Sequence, residues 1–515
     1  MEQPRGWSWQ DRAEGSIRRG TALDPSVEPV DGIRAFPTAY LPTRLLITQD
    51  FENGEEYDRE LRTLRDAADS FGWTLEIEAS DRENAGELLP GVPGFLRARL
   101  TTPEEPTGGE SPVAPDAWRV LQRARRMSRS TMPRTSLEHV LSIDPVGLNP
   151  FSRTNPFSRT NPFSRTNPVR GAAGGSDDYL EPGRGARQPV SWLGPGPRRG
   201  PDPTTGRRPV VAVLDTGCGV HDWLPDDIVT RQVELDGVPI GLTDDADPER
   251  YPDLYGQLDG EIDAVAGHGT FIAGIVRQVA PDADILSVRV AGALGVVDES
   301  DLLTTLAQVI ELLRRYRENP ETGHPIDVLN LSLGYYHETP EDGLYSRTLY
   351  ALLAKARELG CVVVCSAGND AIDRPSFPAS LWAWPGADNG ITRDRWAPLV
   401  SVGALNPSAR SVALFSNVGP WVRLYAPGAA VVSTSPAFVG GQQAMTRADI
   451  DGLRRETIDP DDYRGGFAVW SGTSFAAPYV AGRIAALLGE ISEADADAVD
   501  AAVTSVVADL PSPVD

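Results

Sequence analysis

The chain has 515 residues, 40% of them hydrophobic, and its 73 acidic against 48 basic side chains give a formal net charge of −25. That is enough apolar material for a large core, while the negative surplus excludes a partner held by phosphate neutralisation, so nucleic acid is not expected. The opening "MEQPRGWSWQ" lacks a signal-peptide core, no window reaches the apolar length of a membrane span, and three cysteines are too few for a disulfide scaffold; the expectation is a cytoplasmic protein without a membrane partner.

In chain order, residues 1–40 are polar, and 41–144 carry "RLLIT" as a strand, "YDRELRTLRDAADSFG" as a helix, "TLEIEA" and "FLRARLT" as strands, "PDAWRVLQRARRM" as a helix and "LEHVLSID" as a closing strand. The order β-α-β-β-α-β predicts a small α+β, ferredoxin-like domain with both helices on one face of an antiparallel sheet. Residues 145–208 turn to Pro, Gly, Arg and Ser and include NPFSRT three times without a change. Each Asn-Pro step removes a backbone donor and pushes the preceding residue to extended geometry, so a linker is predicted there. Over 209–490 apolar runs such as "VVAVLD", "ADILSVRV", "IDVLNLSL", "CVVVCSAG" and "LVSVGAL" alternate with helical ones. Strands apolar on both faces between amphipathic helices predict an α/β fold, a doubly wound, mostly parallel sheet. Within it "TRADIDGLRRE" reads as a polar helical insert, and 491–515 as a tail with a terminal helix. Cys361 and Cys365, four apart in a strand, are too far apart to bridge and read as buried hydrophobes, as does Cys218.

In such a sheet reactive groups gather at the carboxyl ends of strands and at helix N-termini. Asp215 ends the first strand in "VVAVLDTG", His268 opens a helix in "GHGTFIAGI", and Ser474 opens another in "SGTSFAAP". A serine hydroxyl is a weak nucleophile that needs an imidazole to take its proton and a carboxylate to orient that imidazole, and all three types are present. The backbone N–H groups beside Ser474 form half of an oxyanion hole; the amide of Asn369 in "CSAGND" is the candidate for the other half.

The order Asp, His, Ser with "DTG", "GHGT", "AGN" and "GTSFAAP" resembles the subtilisin-like serine peptidases, family S8, over roughly Pro209 to Gly489. The resemblance implies a subtilisin-like fold and hydrolysis of peptide or protein substrates through an acyl-enzyme on Ser474, with His268 as general base and Asp215 orienting it. It further implies a substrate-pairing edge at Ser332, Leu333 and Gly334 and pocket walls at Ser366, Ala367 and Gly368. No cofactor is needed for that chemistry. Structural calcium occurs in the family, but the acidic run "DDADPER" shows no ligand spacing and reads as a solvated loop. His221 reads as a structural hydrogen-bonding group; His139, His324 and His337 fall in no motif.

An α/β-hydrolase is excluded because the serine comes last, and a sedolisin because "GHGT" is present. The N-terminal domain resembles a subtilase prodomain, "LEHVLSID" being the segment that leads into the cleft. Two alternatives stay open: a catalytically silent peptide-binding pseudoprotease, and a dedicated maturation protease for one substrate. The repeats are either a tether or a cleavage or pseudo-substrate segment.

Overall fold

The computed structural model describes residues 20–49, 54–79, 87–102, 113–143, 179, 183–255, 260–339, 347–383, 397–492 and 496–510, so the NPFSRT repeats lie outside the described residues. The N-terminal unit is built from β1 (Ala39–Thr48), α1 (Gly54–Asp69), β2 (Thr74–Ile77), β3 (Phe95–Thr101), α2 (Ala117–Ser128) and β4 (Thr135–Ser142). The four strands pair antiparallel in the order β4-β1-β3-β2. Alternation along β1 decides the layers: Leu45 and Ile47 pack with Leu64 of α1 and Trp118 of α2. Leu46, one residue out of phase, joins Leu141 and Ile143 in the core of the following unit. A strand covered on both faces has no solvent side, which is why "RLLIT" carries three aliphatics in a row.

The second unit opens with β5 (Gln188–Val190), inside the tract predicted as linker. Its main sheet comprises β6 (Val210–Asp215), β7 (Val229–Thr230) and β8 (Asp284–Arg289), while β9 (Val296–Asp298) leaves it to pair with β4. Then follow β10 (Val328–Leu331), β11 (Val362–Ser366), β12 (Leu399–Leu405) and β13 (Leu424–Pro427). The seven strands run parallel in the order β7-β8-β6-β10-β11-β12-β13.

The helices α3 (His268–Val279), α4 (Glu299–Glu318), α5 (Arg347–Glu358), α6 (Thr473–Leu488) and α7 (Ala496–Asp509) cover it on both faces. Val211 and Val213 of β6 point to the layer holding Ile272 of α3 and Ala477 of α6. Ala212 and Leu214 point to the layer holding Leu306 of α4 and Leu353 of α5. The mixed α/β class with a parallel sheet is therefore as expected.

Two local expectations change, and the expected terminal helix packs into the core. The "TRADIDGLRRE" insert is not a helix but an exposed hairpin of β15 (Arg447–Ile450) and β16 (Leu453–Glu456), placed after β14 (Val431–Thr434). Asp451 and Gly452, with φ of 53° and 78°, make its turn, and a turn with both central residues at positive φ matches the twist of a two-stranded ribbon. The predicted linker is structured at its end, because β5 pairs with β17 (Phe467–Trp470) and Arg187 donates to the carbonyls of Asp263 and Ala266 at 2.9 Å. The predicted tail contributes α7, whose Val503 and Val506 are buried beside α6 in the same core.

The two units share backbone. β4 pairs antiparallel with β9, so the N-terminal sheet gains a strand from the second unit. Beyond β9, Ser142 exchanges two backbone bonds with Gly334 at 3.0 and 3.1 Å, and Ile143 N–H donates to Gly295 at 2.7 Å.

Candidate active site

Asp215, at the carboxyl end of the interior strand β6, is fully buried, and its Oδ1 accepts the backbone N–H of Thr216 at 2.8 Å. The same oxygen lies 2.7 Å from Nδ1 of His268, the first residue of α3. That contact fixes the tautomer and leaves the other ring nitrogen as the working one. Nε2 of His268 is buried and has no hydrogen-bond partner among the described residues. Local sequence explains the approach of helix to strand: a Cβ on Gly269 would fall 2.0 Å from the carbonyl oxygen of Gly217, and Gly267 turns into the helix at φ +79°. Only glycine fits both demands.

The imidazole is packed against Phe475, at 5.1 Å between centroids, and edge-on to Trp470 at 5.5 Å. Phe475 follows Ser474 in the first turn of α6, so the helix that carries the serine also walls the histidine. The Ser474 hydroxyl donates to the Ser332 carbonyl at 3.4 Å, a long contact, while the Ser332 hydroxyl donates to the Ser474 carbonyl at 3.0 Å. Asn330 donates in turn to the Ser332 hydroxyl at 3.0 Å. The structure thus brings Asp215 and His268 into contact, and packs Phe475, the residue after Ser474, on the ring, with no hydrogen bond between Ser474 and His268.

Asn369 follows β11, and its Oδ1 accepts from the Thr473 N–H at 2.8 Å and the Thr473 hydroxyl at 3.0 Å. These bonds orient the amide with Nδ2 on the side of Gly472, two residues before Ser474. The predicted wall Ser366, Ala367 and Gly368 is held by Asn417, which carried no sequence motif, and by Thr473 of the serine motif. Asn417 donates to the Ala367 carbonyl at 2.8 Å, and Gly368 N–H donates to the Thr473 hydroxyl at 3.0 Å. Of the predicted edge, Leu333 is buried in the core, whereas Gly334 is paired with Ser142.

His221 is engaged at both nitrogens, with the Gly466 carbonyl at 2.8 Å and the Trp223 N–H at 3.0 Å. All three cysteines are free, and burial pushes the Cys218 thiol up to about 12, which leaves it un-ionised near neutral pH. The carboxylates of "DDADPER" do not gather as a cation site: Asp244 and Asp247 turn to Arg289, and Glu249 goes inward.

A cluster that no motif announced sits where the units meet. His139, of β4, is fully buried, with Nδ1 2.7 Å from Glu299 and Nε2 2.7 Å from Glu338. His337 lies beside it, 5.0 Å between ring centroids. Burial works against charge on His139, yet the two carboxylates outweigh it and lift the imidazole to about 10. Glu338 is held well below the usual carboxylate range by the two histidines, against its own burial, while burial drives His337 down to about 4.

The model of the subtilase family, peptidase family S8, matches residues 206–509, more than half of the chain. The chain belongs to this family of serine endopeptidases. The intracellular serine protease of Paenibacillus polymyxa is 29% identical over 294 residues, 55% of this chain and 67% of the relative. Serine protease AprX of Bacillus subtilis (strain 168) is 30% identical over 315 residues, 57% of this chain and 60% of the relative. The chain thus spans about two thirds or less of the length of these relatives. Among solved structures, fervidolysin from Fervidobacterium pennivorans, a keratinolytic enzyme related to subtilisin, aligns at 18% identity and a TM-score of 0.44, over 95% of this chain and 59% of that one. Among the described residues no helix is long and apolar enough to cross a membrane.

Proposed function

We propose that this chain cleaves peptide bonds with Ser474 as nucleophile, His268 as general base and Asp215 as the group that orients and balances the imidazole. The observation that carries the reading is the 2.7 Å contact of Asp215 Oδ1 with His268 Nδ1, which leaves a buried Nε2 unpartnered on a ring packed against α6, the helix whose second residue is Ser474. A turn of the Ser474 side chain away from the Ser332 carbonyl aims Oγ at Nε2; such bonds are often long before substrate arrives. Oγ then attacks the scissile carbonyl carbon as its proton passes to Nε2. The oxyanion is met by Asn369 Nδ2 and the Ser474 N–H at the helix N-terminus. Collapse returns the proton to the leaving amine, and water attacks the acyl-enzyme by the same route. No step calls for a metal or cofactor.

The substrate backbone pairs, in this reading, with the Ser332–Leu333–Gly334 edge, and Ser366, Ala367 and Gly368 wall the adjoining pocket. The N-terminal unit is read as a ferredoxin-like, prodomain-like regulator. In support, the end of β4 already lies between Gly295 and Gly334, consuming backbone groups of both that an extended peptide would otherwise use. An intracellular location agrees with the name of the Paenibacillus relative. The test is labelling with a fluorophosphonate probe together with hydrolysis of a denatured protein: the wild type is expected to react and to cleave, and Ser474→Ala to do neither. A mature wild type that never labels would leave a silent peptide binder in place of the peptidase.

A further inference from the structure

The last acid of "DDADPER" leaves its surface loop and reaches the pair just described: Glu249 is 3% exposed and meets two segments at once. Its Oε1 is bonded by the Thr216 hydroxyl and by the Gly269 N–H at 3.0 Å. Its Oε2 is bonded by the Thr270 hydroxyl and by the Thr270 N–H at 3.2 Å. Gly269 and Thr270 are the second and third residues of α3, directly after His268, and the helix receives no side-chain cap from its own N-cap residue, Gly267. Glu249 supplies that cap from a distant loop, with its carboxyl at the positive end of the helix. Thr216, next to Asp215, completes the link, because its Oγ1 also lies 3.1 Å from Asp215 Oδ1 and accepts the Gly269 N–H at 2.8 Å.

Resting on the assignment of Asp215 and His268 made above, we propose that Glu249 is a positioning residue for that pair: it ties the turn after Asp215 to the helix start that carries His268, and its protonation decides which carboxyl the Thr216 hydroxyl serves. Thr216 has one proton and two carboxyl neighbours. When Glu249 carries its proton it donates to Thr216 Oγ1, and Thr216 donates onward to Asp215. When Glu249 is ionised, the two carboxylates compete for one hydroxyl and Asp215 loses a donor. Burial pushes the Glu249 carboxyl up to about 8, the threonine hydroxyls opposing and Asp247 and Asp215 reinforcing it. Asp215 at the end of β6, Asp247 on its own loop, Cys218, Arg289 of β8 and His268 of α3 are the titratable and charged groups around it. A glutamine mimics the protonated state: its oxygen accepts both Thr270 donors, its amide nitrogen donates to Thr216, and Gly269 N–H keeps Thr216 Oγ1.

The test measures kcat, KM and the rate of fluorophosphonate labelling per folded site for full-length wild type, Glu249→Ala and Glu249→Gln, with Ser474→Ala alongside. Misplacing reacting groups by a fraction of their contact distance costs on the order of a hundredfold, so Glu249→Ala is expected to lose about thirty- to a hundredfold in kcat and labelling rate, with KM within about twofold. Glu249→Gln is expected to recover to within about threefold at neutral pH and to hold its rate where the wild type declines through about pH 8. Wild-type turnover per site in Glu249→Ala, equal damage in Glu249→Gln, or the wild-type decline persisting in Glu249→Gln would each overturn the proposal. Where Glu249→Ala does not fold, the pH profile of Glu249→Gln decides. Turnover that survives in Ser474→Ala refutes the serine mechanism itself, a result distinguishable from failure of the Glu249 role.

Discussion

His139 and His268 each hold Nδ1 2.7 Å from a buried carboxylate oxygen, of Glu299 and of Asp215 respectively, and differ in what meets the other nitrogen. Nε2 of His139 is taken by Glu338 at 2.7 Å, whereas Nε2 of His268 meets no partner among the described residues. An imidazole bonded to carboxylates at both nitrogens stays protonated and has nothing left to exchange, so it acts as a fastener. One bonded at a single nitrogen keeps a lone pair for a reacting proton. The same pair of residue types thus yields a joint between units in one place and a candidate base in the other, and the second nitrogen decides which.

The comparison can be broken by removing each ring. His268→Ala is expected to show the largest effect, a loss of about ten thousandfold in kcat/KM, with the N-terminal unit still docked; assay of turnover and of docking by limited proteolysis checks both halves. His139→Ala is expected to leave Glu299 and Glu338 buried without a counter-charge, which costs about 3–5 kcal/mol when one partner of a buried ion pair is lost. Denaturant unfolding and proteolysis should show the N-terminal unit released, and the freed enzyme should turn over at least as fast as the parent. Equal loss of turnover in both variants would erase the distinction between fastener and base.

The smallest effect sharpens it through pH. The raised His139 contributes docking energy that is complete below its ordinary value near 6.5 and drains away as pH rises toward about 10. Between about pH 4.5 and 7 other groups offset one another. Glu138, raised to about 7 by burial, weakens docking as pH rises, while His337, lowered to about 4, strengthens it. Above pH 7 the His139 contribution stands alone among these groups. Susceptibility of the N-terminal unit to proteolysis should climb between pH 7 and 10 in the wild type and stay flat in His139→Ala.

How much of this could be read from residues alone follows from how far each feature reaches along the chain. Asp215 and His268 stand in short words whose glycines are demanded by local geometry, so their contact was legible, and Asn369 and Ser474 stand in short words of the same kind. The parallel sheet was legible because β6 and β11 are apolar on both faces up to their last residue. Glu249 was not, because its partners come from the turn after β6 and the start of α3, and nothing in an acidic run distinguishes the residue that turns inward. His139 had no motif either: its partners lie 160 and 199 residues away. The hairpin was misread for another reason. Ile450 and Leu453 share helical spacing, but the Asp451–Gly452 pair between them is the turn signal that should have outweighed it.

Arg187 fixes where such a molecule can be parted. Its guanidinium lies 4.7 Å over the ring of Trp470, the residue packed edge-on against His268, and β5 is stitched beside it into the three-stranded sheet. A cut that frees the N-terminal unit and leaves the second unit's contacts intact therefore has to fall after Ile143, where β4 lets go of Gly295, and before Tyr179, whose hydroxyl donates to Asn406 at 2.6 Å. Whatever severs the chain there leaves an N-terminal stub sewn into the second unit, so that parting the two units bares the backbone of β9 and Gly334 while β5 stays paired with β17.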